Sequence, residues 1–180
     1  MIPCPIEKFT FAKKNTNKVF VKNGHYEIGR LATNKAIFIL INNDPLAVCS
    51  DLNSAIVVYS TLNSIIDRNN LSSDHLVAIL SRDLYETYFN SYDCLTISIG
   101  GSAVMPRNAF QQDNKEDLYK NIYYHEVIRG DRIQRINLWG QEAPDTLQAV
   151  ELFLTKKQER LRKFLTDYWG EIQLPDSLLQ

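Results

Sequence analysis

The stretch that most constrains the fold is an uninterrupted apolar run, Ala36–Ile41, together with the segment that follows it. A turn sequence, Asn42-Asn-Asp-Pro45, separates this run from a shorter apolar one, Leu46–Cys49. From Ser50 to Asn69, apolar residues recur at three- and four-residue steps, which is the spacing of one helix face. We therefore predict a strand, a turn, a second strand and a long amphipathic helix. These residues contain no nucleophile motif, metal cluster or phosphate-binding loop.

The rest of the chain predicts further short strands and one more long helix. Apolar or alternating runs of strand length lie at Lys18–Lys22, His25–Ile28, Leu76–Leu80, Cys94–Ile99, Ile122–Ile128 and Ile133–Trp139. The segment from Asp145 to Tyr168 has the apolar spacing of a helix. We predict an α+β fold, in which a mostly antiparallel sheet carries two long amphipathic helices in two hairpin-then-helix units, at 36–69 and 118–168.

The N-terminal residues are expected to stand apart from this fold. Residues 1–17 begin with two prolines and continue through a polar stretch, so we predict a loosely ordered leader there. A chain of 180 residues that is 44% hydrophobic can bury one sizeable core. We therefore predict a single α+β domain from residue 18 to residue 180.

The same composition predicts a cytoplasmic protein that does not enter a membrane. The longest apolar run, Ala36–Ile41, is far shorter than the roughly 20 residues that a membrane-spanning helix needs. The first residues lack the basic start and apolar stretch of a signal peptide. The three cysteines, Cys4, Cys49 and Cys94, are odd in number and far apart, which favours a reducing compartment.

Motifs for catalysis or metal binding are absent from the sequence. His25, His75 and His125 are fifty residues apart, and no Cys or His pair has the short spacing of zinc ligands. Cys49 and Cys94 lie in apolar strand contexts, where the thiolate is disfavoured. Neither a Gly-x-Ser-x-Gly motif nor a Walker-type loop occurs. We predict no catalytic residue, no metal site and no cofactor, and we expect His125 on the surface.

A long polar stretch, Ser102–Asp117, offers the one place for an enzymatic site. Loops of this length are uncommon in compact domains, and those that occur are usually functional or mobile. It begins with Gly100-Gly101-Ser102, which resembles the Gly-Ser opening of nucleotidyltransferases. Those enzymes need paired metal-binding carboxylates, whereas here the next acid is Asp113 and a lysine follows two residues later. One alternative is therefore a metal-dependent phosphoester or nucleotidyl enzyme with its site in loop 102–117, using Asp113, Glu116 or Asp117.

A basic and aromatic region at 120–163 is the broadest candidate for binding. It carries nine Lys or Arg against six acids. Aromatic rings that stack on bases, mixed with cations that contact phosphate, are typical of sequence-tolerant nucleic-acid binding. The interspersed acids fit an ordinary solvated helix face instead. The candidate residues for nucleic-acid or partner binding are Tyr123, Tyr124, Arg129, Arg132, Arg135, Trp139, Lys156, Arg160 and Lys163.

These observations favour a non-enzymatic accessory or adaptor subunit that docks into a larger multiprotein or nucleoprotein assembly through region 120–163. Its partners would be proteins, because surplus aromatic residues near charge are typical of interface cores. The first alternative is direct RNA or DNA binding by the same region. The second is the metal-dependent enzyme with its site in loop 102–117.

Overall fold

The computed structural model describes residues 9–11, 18–23, 26–43, 45–88, 94–101, 104 and 116–178, with side chains described at 34–43, 51–87, 94–101, 104 and 118–178. The first described unit is a three-stranded antiparallel sheet of β1 (Phe9–Phe11), β2 (Lys18–Asn23) and β3 (Tyr26–Ala32), in the order β1-β2-β3. The strand predicted at Lys18–Lys22 lies within β2, and the described part of the one predicted at His25–Ile28 lies within β3. Residues 1–8 and 12–17 lie outside the described residues, so the loose leader stays a prediction.

The main sheet has six strands in the order β5-β4-β6-β9-β8-β7. Its parallel part consists of β5 (Leu76–Ser81), β4 (Ala36–Ile41), β6 (Leu95–Ile99) and β9 (Arg132–Gly140). The two remaining strands, β8 (Ile122–Arg129) and β7 (Glu116–Tyr119), extend it in antiparallel fashion beyond β9. Helices and this sheet together confirm the α+β class.

The prediction of a mostly antiparallel sheet is wrong, because the sheet is mixed and mostly parallel. Helix α1 (Pro45–Arg68) begins at the predicted turn, so Leu46–Cys49 forms its first turns and not a return strand. Proline is favoured in the first turn of a helix, where a backbone N–H has no partner in any case. A strand that leaves through a helix returns parallel to itself, as β5 does beside β4. All six residues of β4 are buried, which is typical of a parallel strand covered on both faces.

The two hairpin-then-helix units are not confirmed. In the first, a strand is followed directly by α1. In the second, β8 and β9 do form an antiparallel hairpin around Gly130, whose φ of 67° suits a tight turn, but the helix after it is broken. Helix α3 (Ala143–Lys156) ends before Lys157, and α4 (Gln158–Trp169) starts immediately after that residue. No glycine or proline marks this break. The apolar spacing continues across Lys157, and it therefore predicted one uninterrupted helix.

The main sheet is covered on both faces. On one face, its apolar residues pack against α1, α3 and α4 in a large core that includes Ile39, Ile97, Ile136, Leu62, Phe153 and Phe164. On the other face, Phe38 and Leu40 of β4 pack with Tyr85 of α2 (Arg82–Tyr88) in a smaller core. Within the described residues, no helix has the length and apolar character needed to cross a membrane.

Candidate functional site

The nine residues predicted as a binding surface lie on both faces of the main sheet. On β8, Tyr124 faces the helices, where its buried ring stacks on Phe153 of α3 with 5.5 Å between ring centroids. Its neighbour Tyr123 points to the opposite face, because successive strand residues alternate. There it packs beside Trp139 of β9, at 5.4 Å between ring centroids. The structure therefore brings Tyr123 and Trp139 together and separates Tyr124 from them.

Two of the predicted cations are paired with acids of the same chain. Arg160 of α4 donates from Nε to Glu126 Oε1 at 2.8 Å and from Nη2 to Oε2, which ties α4 to β8. Lys163 Nζ donates to both carboxylate oxygens of Asp167, each at 3.0 Å. Both side chains were predicted to bind a partner, and in the structure both form ion pairs within the chain.

Three members of the predicted set are exposed, and two of them lie at the turn of the β8–β9 hairpin. Arg129 and Arg132 are exposed and lie opposite each other in the strand register. The Arg132 guanidinium also lies 5.7 Å from the ring centroid of Tyr168. Lys156 is exposed in the last turn of α3. The last member, Arg135, is buried, so the nine residues do not form one continuous surface.

Arg135 belongs instead to a group of five buried polar side chains, which we call the polar cluster: Thr96 and Ser98 of β6, Arg135 and Asn137 of β9, and His125 of β8. Thr96, Ser98 and Asn137 are fully buried, while His125 is 2% exposed and Arg135 is 8% exposed. Thr96 lies opposite Arg135, Ser98 opposite Asn137, and Asn137 opposite His125. The five side chains therefore share one face of the sheet, the face on which α2 packs.

The Arg135 guanidinium extends across β6. Its Cζ lies 5.8 Å from the ring centroid of Tyr85, whose ring in turn lies 6.0 Å from that of Phe38 on β4. Because β6 lies between β4 and β9, this contact places the guanidinium above β6, the strand of Thr96 and Ser98. No carboxylate among the described residues forms an ion pair with Arg135. A buried charge is normally paired, because removing it from water is costly.

His125 and Asn137 are hydrogen-bonded to each other at the far side of the cluster. Asn137 Nδ2 donates to His125 Nδ1 at 2.9 Å. Burial lowers the pKa of His125 below its ordinary value of 6.5, so the imidazole is neutral at pH 7. A neutral imidazole that accepts at Nδ1 carries its proton on Nε2. In this arrangement, Asn137 Oδ1 is directed away from the His125 ring nitrogen.

Four buried polar atoms of the cluster have no hydrogen-bond partner among the described residues: Thr96 Oγ1, Ser98 Oγ, Arg135 Nη1 and Asn137 Oδ1. Leaving one buried donor or acceptor unsatisfied costs about 1–3 kcal/mol. Native proteins leave few such groups, and four on two adjacent strands is a concentration that calls for an explanation. A bound molecule that hydrogen-bonds to them would remove this cost.

A further buried polar position lies at the carboxyl edge of the sheet, where β4 and β6 end. The chain leaves β4 toward β5 and leaves β6 toward the other side of the sheet, so this is the topological switch point. Gly100, just after β6, has a φ of 122°, and a Cβ there would lie 3.2 Å from Asp51 Oδ2. Asp51 is 8% exposed, and desolvation raises the pKa of its carboxyl above 3.8. Ligands of open α/β sheets bind at such an edge.

Sequence reasoning missed four of the five cluster residues as site residues. Thr96 and Ser98 alternate with Leu95, Ile97 and Ile99, a pattern that predicts a half-exposed strand. His125 was expected on the surface, and it is buried. The missing information is the neighbour relation of β6 and β9, which are far apart in sequence. The available signal was the second alternation, Arg135 and Asn137 between apolar residues, which matches that of β6.

The proposed enzymatic loop can be described only at its ends. Asp113 lies outside the described residues, and Glu116 and Asp117 begin β7 with side chains that are likewise outside them. Across the described side chains, no group of three or more His, Cys, Asp or Glu is placed to hold a metal ion. Comparison of the chain with protein-family models, with curated proteins and with solved structures finds no match.

Proposed function

We propose that this protein binds a small anionic ligand in the polar cluster, with the Arg135 guanidinium as the anion-binding group. The observation that carries the proposal is the buried Nη1 of Arg135, which has no hydrogen-bond partner among the described residues. An arginine presents its N–H groups in a fixed planar fork that matches carboxylate and phosphate oxygens. An anion at this position would supply a counter-ion, which no carboxylate of the described residues provides.

The neighbouring hydroxyls fit the same role. Thr96 Oγ1 and Ser98 Oγ lie on the strand beneath the guanidinium, and neither has a partner among the described residues. A hydroxyl can rotate to donate to an anionic oxygen. With Arg135, the two hydroxyls make three donor groups on one small area of the sheet. Small-molecule sites combine an apolar wall with a few convergent polar groups of this kind, and Phe38 and Tyr85 supply the apolar wall here.

The test is calorimetric titration of the purified protein with acetate and, separately, with inorganic phosphate. We expect saturable binding of at least one of these anions, and loss of that binding in Arg135→Met, which keeps an unbranched apolar stem but removes the guanidinium and its charge. Arg132→Met is the matched control, since Arg132 is exposed on the same strand, and it should bind the anion as the unaltered protein does. If neither acetate nor phosphate binds, or if Arg135→Met and Arg132→Met lose affinity for the anion equally, the proposal is contradicted.

Docking into a larger assembly remains a second proposal, supported by the exposed end of the β8–β9 hairpin. Ile128 is a large apolar residue that is 54% exposed, and it is flanked there by Arg129 and Arg132.

The same two arginines are the supporting feature for direct RNA or DNA contact. If that contact occurs, Arg129→Ala with Arg132→Ala should weaken binding of a single-stranded oligonucleotide and reduce its salt dependence. Unchanged affinity and salt slope would remove the nucleic-acid form of this proposal.

A further inference from the structure

We infer that the ligand of the polar cluster is a small carboxylate with a hydrogen-bond donor on the adjacent carbon, that is, a 2-hydroxy or 2-amino acid. This inference rests on the proposed function and specifies its ligand. It follows from the donor and acceptor character of the four atoms without a partner in the described part of the chain.

The four atoms are not all donors. Arg135 Nη1 can only donate, and the Thr96 and Ser98 hydroxyls can donate or accept, but Asn137 Oδ1 can only accept. A simple anion offers acceptors alone. It would therefore satisfy the guanidinium and the hydroxyls and leave the buried Asn137 Oδ1 without a hydrogen bond. The site needs a ligand with an N–H or O–H group near its anionic oxygens.

In the structure, the Asn137 amide is oriented with its nitrogen toward His125. Its Nδ2 donates to His125 Nδ1 at 2.9 Å, which directs Oδ1 away from that nitrogen. A rotated amide would need a proton on Nδ1 of His125 to keep a hydrogen bond there. Asn137 is also fully buried, so Oδ1 cannot turn toward solvent. In this orientation, Asn137 presents a buried acceptor, Oδ1, to the cluster.

The dimensions of the cluster favour a ligand of few atoms. Ser98 lies opposite Asn137 and Thr96 opposite Arg135. Adjacent strands are about 4.8 Å apart, and residues two positions apart on one strand are separated by about 7 Å. The donor groups and the acceptor are thus within reach of a single carboxylate and the substituent on its neighbouring carbon.

Acetate and glycolate form a matched pair of probes, because they differ by one hydroxyl on the carbon next to the carboxylate. We expect the unaltered protein to bind glycolate roughly tenfold more tightly than acetate, since only glycolate can donate to Asn137 Oδ1. Glycine, as a third probe, replaces the hydroxyl by an ammonium and shows which donor is preferred. All three are titrated by calorimetry at the same ionic strength.

Asn137→Leu removes the acceptor, and with it the preference of glycolate over acetate should fall to about onefold. Asn137→Ala is the second variant, and it is used if thermal unfolding shows that the leucine variant does not fold. If acetate, glycolate and glycine bind the unaltered protein equally well, this inference is overturned and the anion site stands. Binding of none of the three overturns the inference, and the proposed function is overturned with it if inorganic phosphate does not bind either. A preference that persists in the Asn137 variants overturns the role assigned to Asn137.

Discussion

At the scale of single residues, the buried hydroxyl of Thr96 predicts a change in stability that can be measured. Thr96 Oγ1 is buried and has no hydrogen-bond partner among the described residues. Valine has nearly the shape of threonine without the hydroxyl, so Thr96→Val should leave the free energy of unfolding unchanged or raise it by about 1 kcal/mol. Residues kept for function at a cost in stability behave in this way. Urea denaturation of both proteins provides the measurement.

Thr146 gives the matched control for that substitution. It is also buried, but its Oγ1 accepts a hydrogen bond from the Gly140 backbone N–H at 3.1 Å. Thr146→Val should therefore lower the free energy of unfolding by about 1–2 kcal/mol. Equal destabilisation by the two valine substitutions would show that the Thr96 hydroxyl is already hydrogen-bonded in the native protein, and the hydroxyl would then have no need of a ligand.

The contribution of Asp51 to the stability of the folded protein should depend on pH. Burial raises the pKa of its carboxyl above 3.8, so the folded protein binds this proton more tightly than the unfolded chain does. The corresponding stability is present below pH 3.8 and is lost as the pH rises through the folded pKa. At pH 7, where the unfolded chain is ionised at this position, the raised pKa lowers the stability of the folded protein, and Asp51→Asn should therefore raise the melting temperature. The gain should shrink as the pH is lowered toward 4.

The pH series is followed by circular dichroism for the unaltered protein, Asp51→Asn and Asp67→Asn. Asp67 is exposed on the same helix, so its variant controls for removing a negative charge from α1. A melting temperature that falls in Asp51→Asn at pH 7 would show that the carboxylate is stabilised by contacts inside the folded protein. Asp51 would then not be available to a ligand.

At the scale of elements, the contact between the end of β9 and the start of α3 is the tightest that a glycine makes in the described part of the chain. A Cβ built on Gly140 would lie 2.1 Å from Asp145 Cβ and 2.6 Å from the backbone nitrogen of Thr146. Backbone cannot move aside cheaply, so Gly140→Ala should destabilise the protein by about 2–4 kcal/mol. Gly101→Ala is the control, because nothing lies within 4 Å of its Cβ position. Similar midpoints of urea denaturation for the two variants would contradict the packing of β9 on α3.

Element prediction from the sequence succeeded where local chemistry decides the outcome. The β8–β9 hairpin was readable because Gly130 adopts the positive φ that its turn requires. It failed at Leu46–Cys49, where a short apolar run suits a strand and a buried helical turn equally well. The helix break at Lys157 had no local signal, because packing of α3 and α4 on the sheet determines it.

At the scale of the whole molecule, the candidate site depends on strand order, which the sequence does not encode locally. Thr96 and Arg135 become neighbours only because β9 inserts beside β6 in the parallel part of the sheet. The sequence drew attention to Arg135 through its charge, and assigned it to an exposed surface. In the structure this side chain is buried above β6 and pairs with no carboxylate of the described residues, and a buried arginine in that situation favours an anionic ligand.

The most direct test of Arg135 as the anion-binding group follows its side chain during a titration with glycolate. In ¹⁵N–¹H NMR spectra that resolve arginine Nε–H signals, assigned by comparison with Arg135→Met, we predict that the Arg135 signal shifts in a saturable manner while that of Arg132 stays in place. Arg132 is the internal control, because it lies on the same strand and is exposed. An Arg135 signal that does not move at saturating glycolate, acetate or phosphate would contradict the assignment of the polar cluster as an anion-binding site.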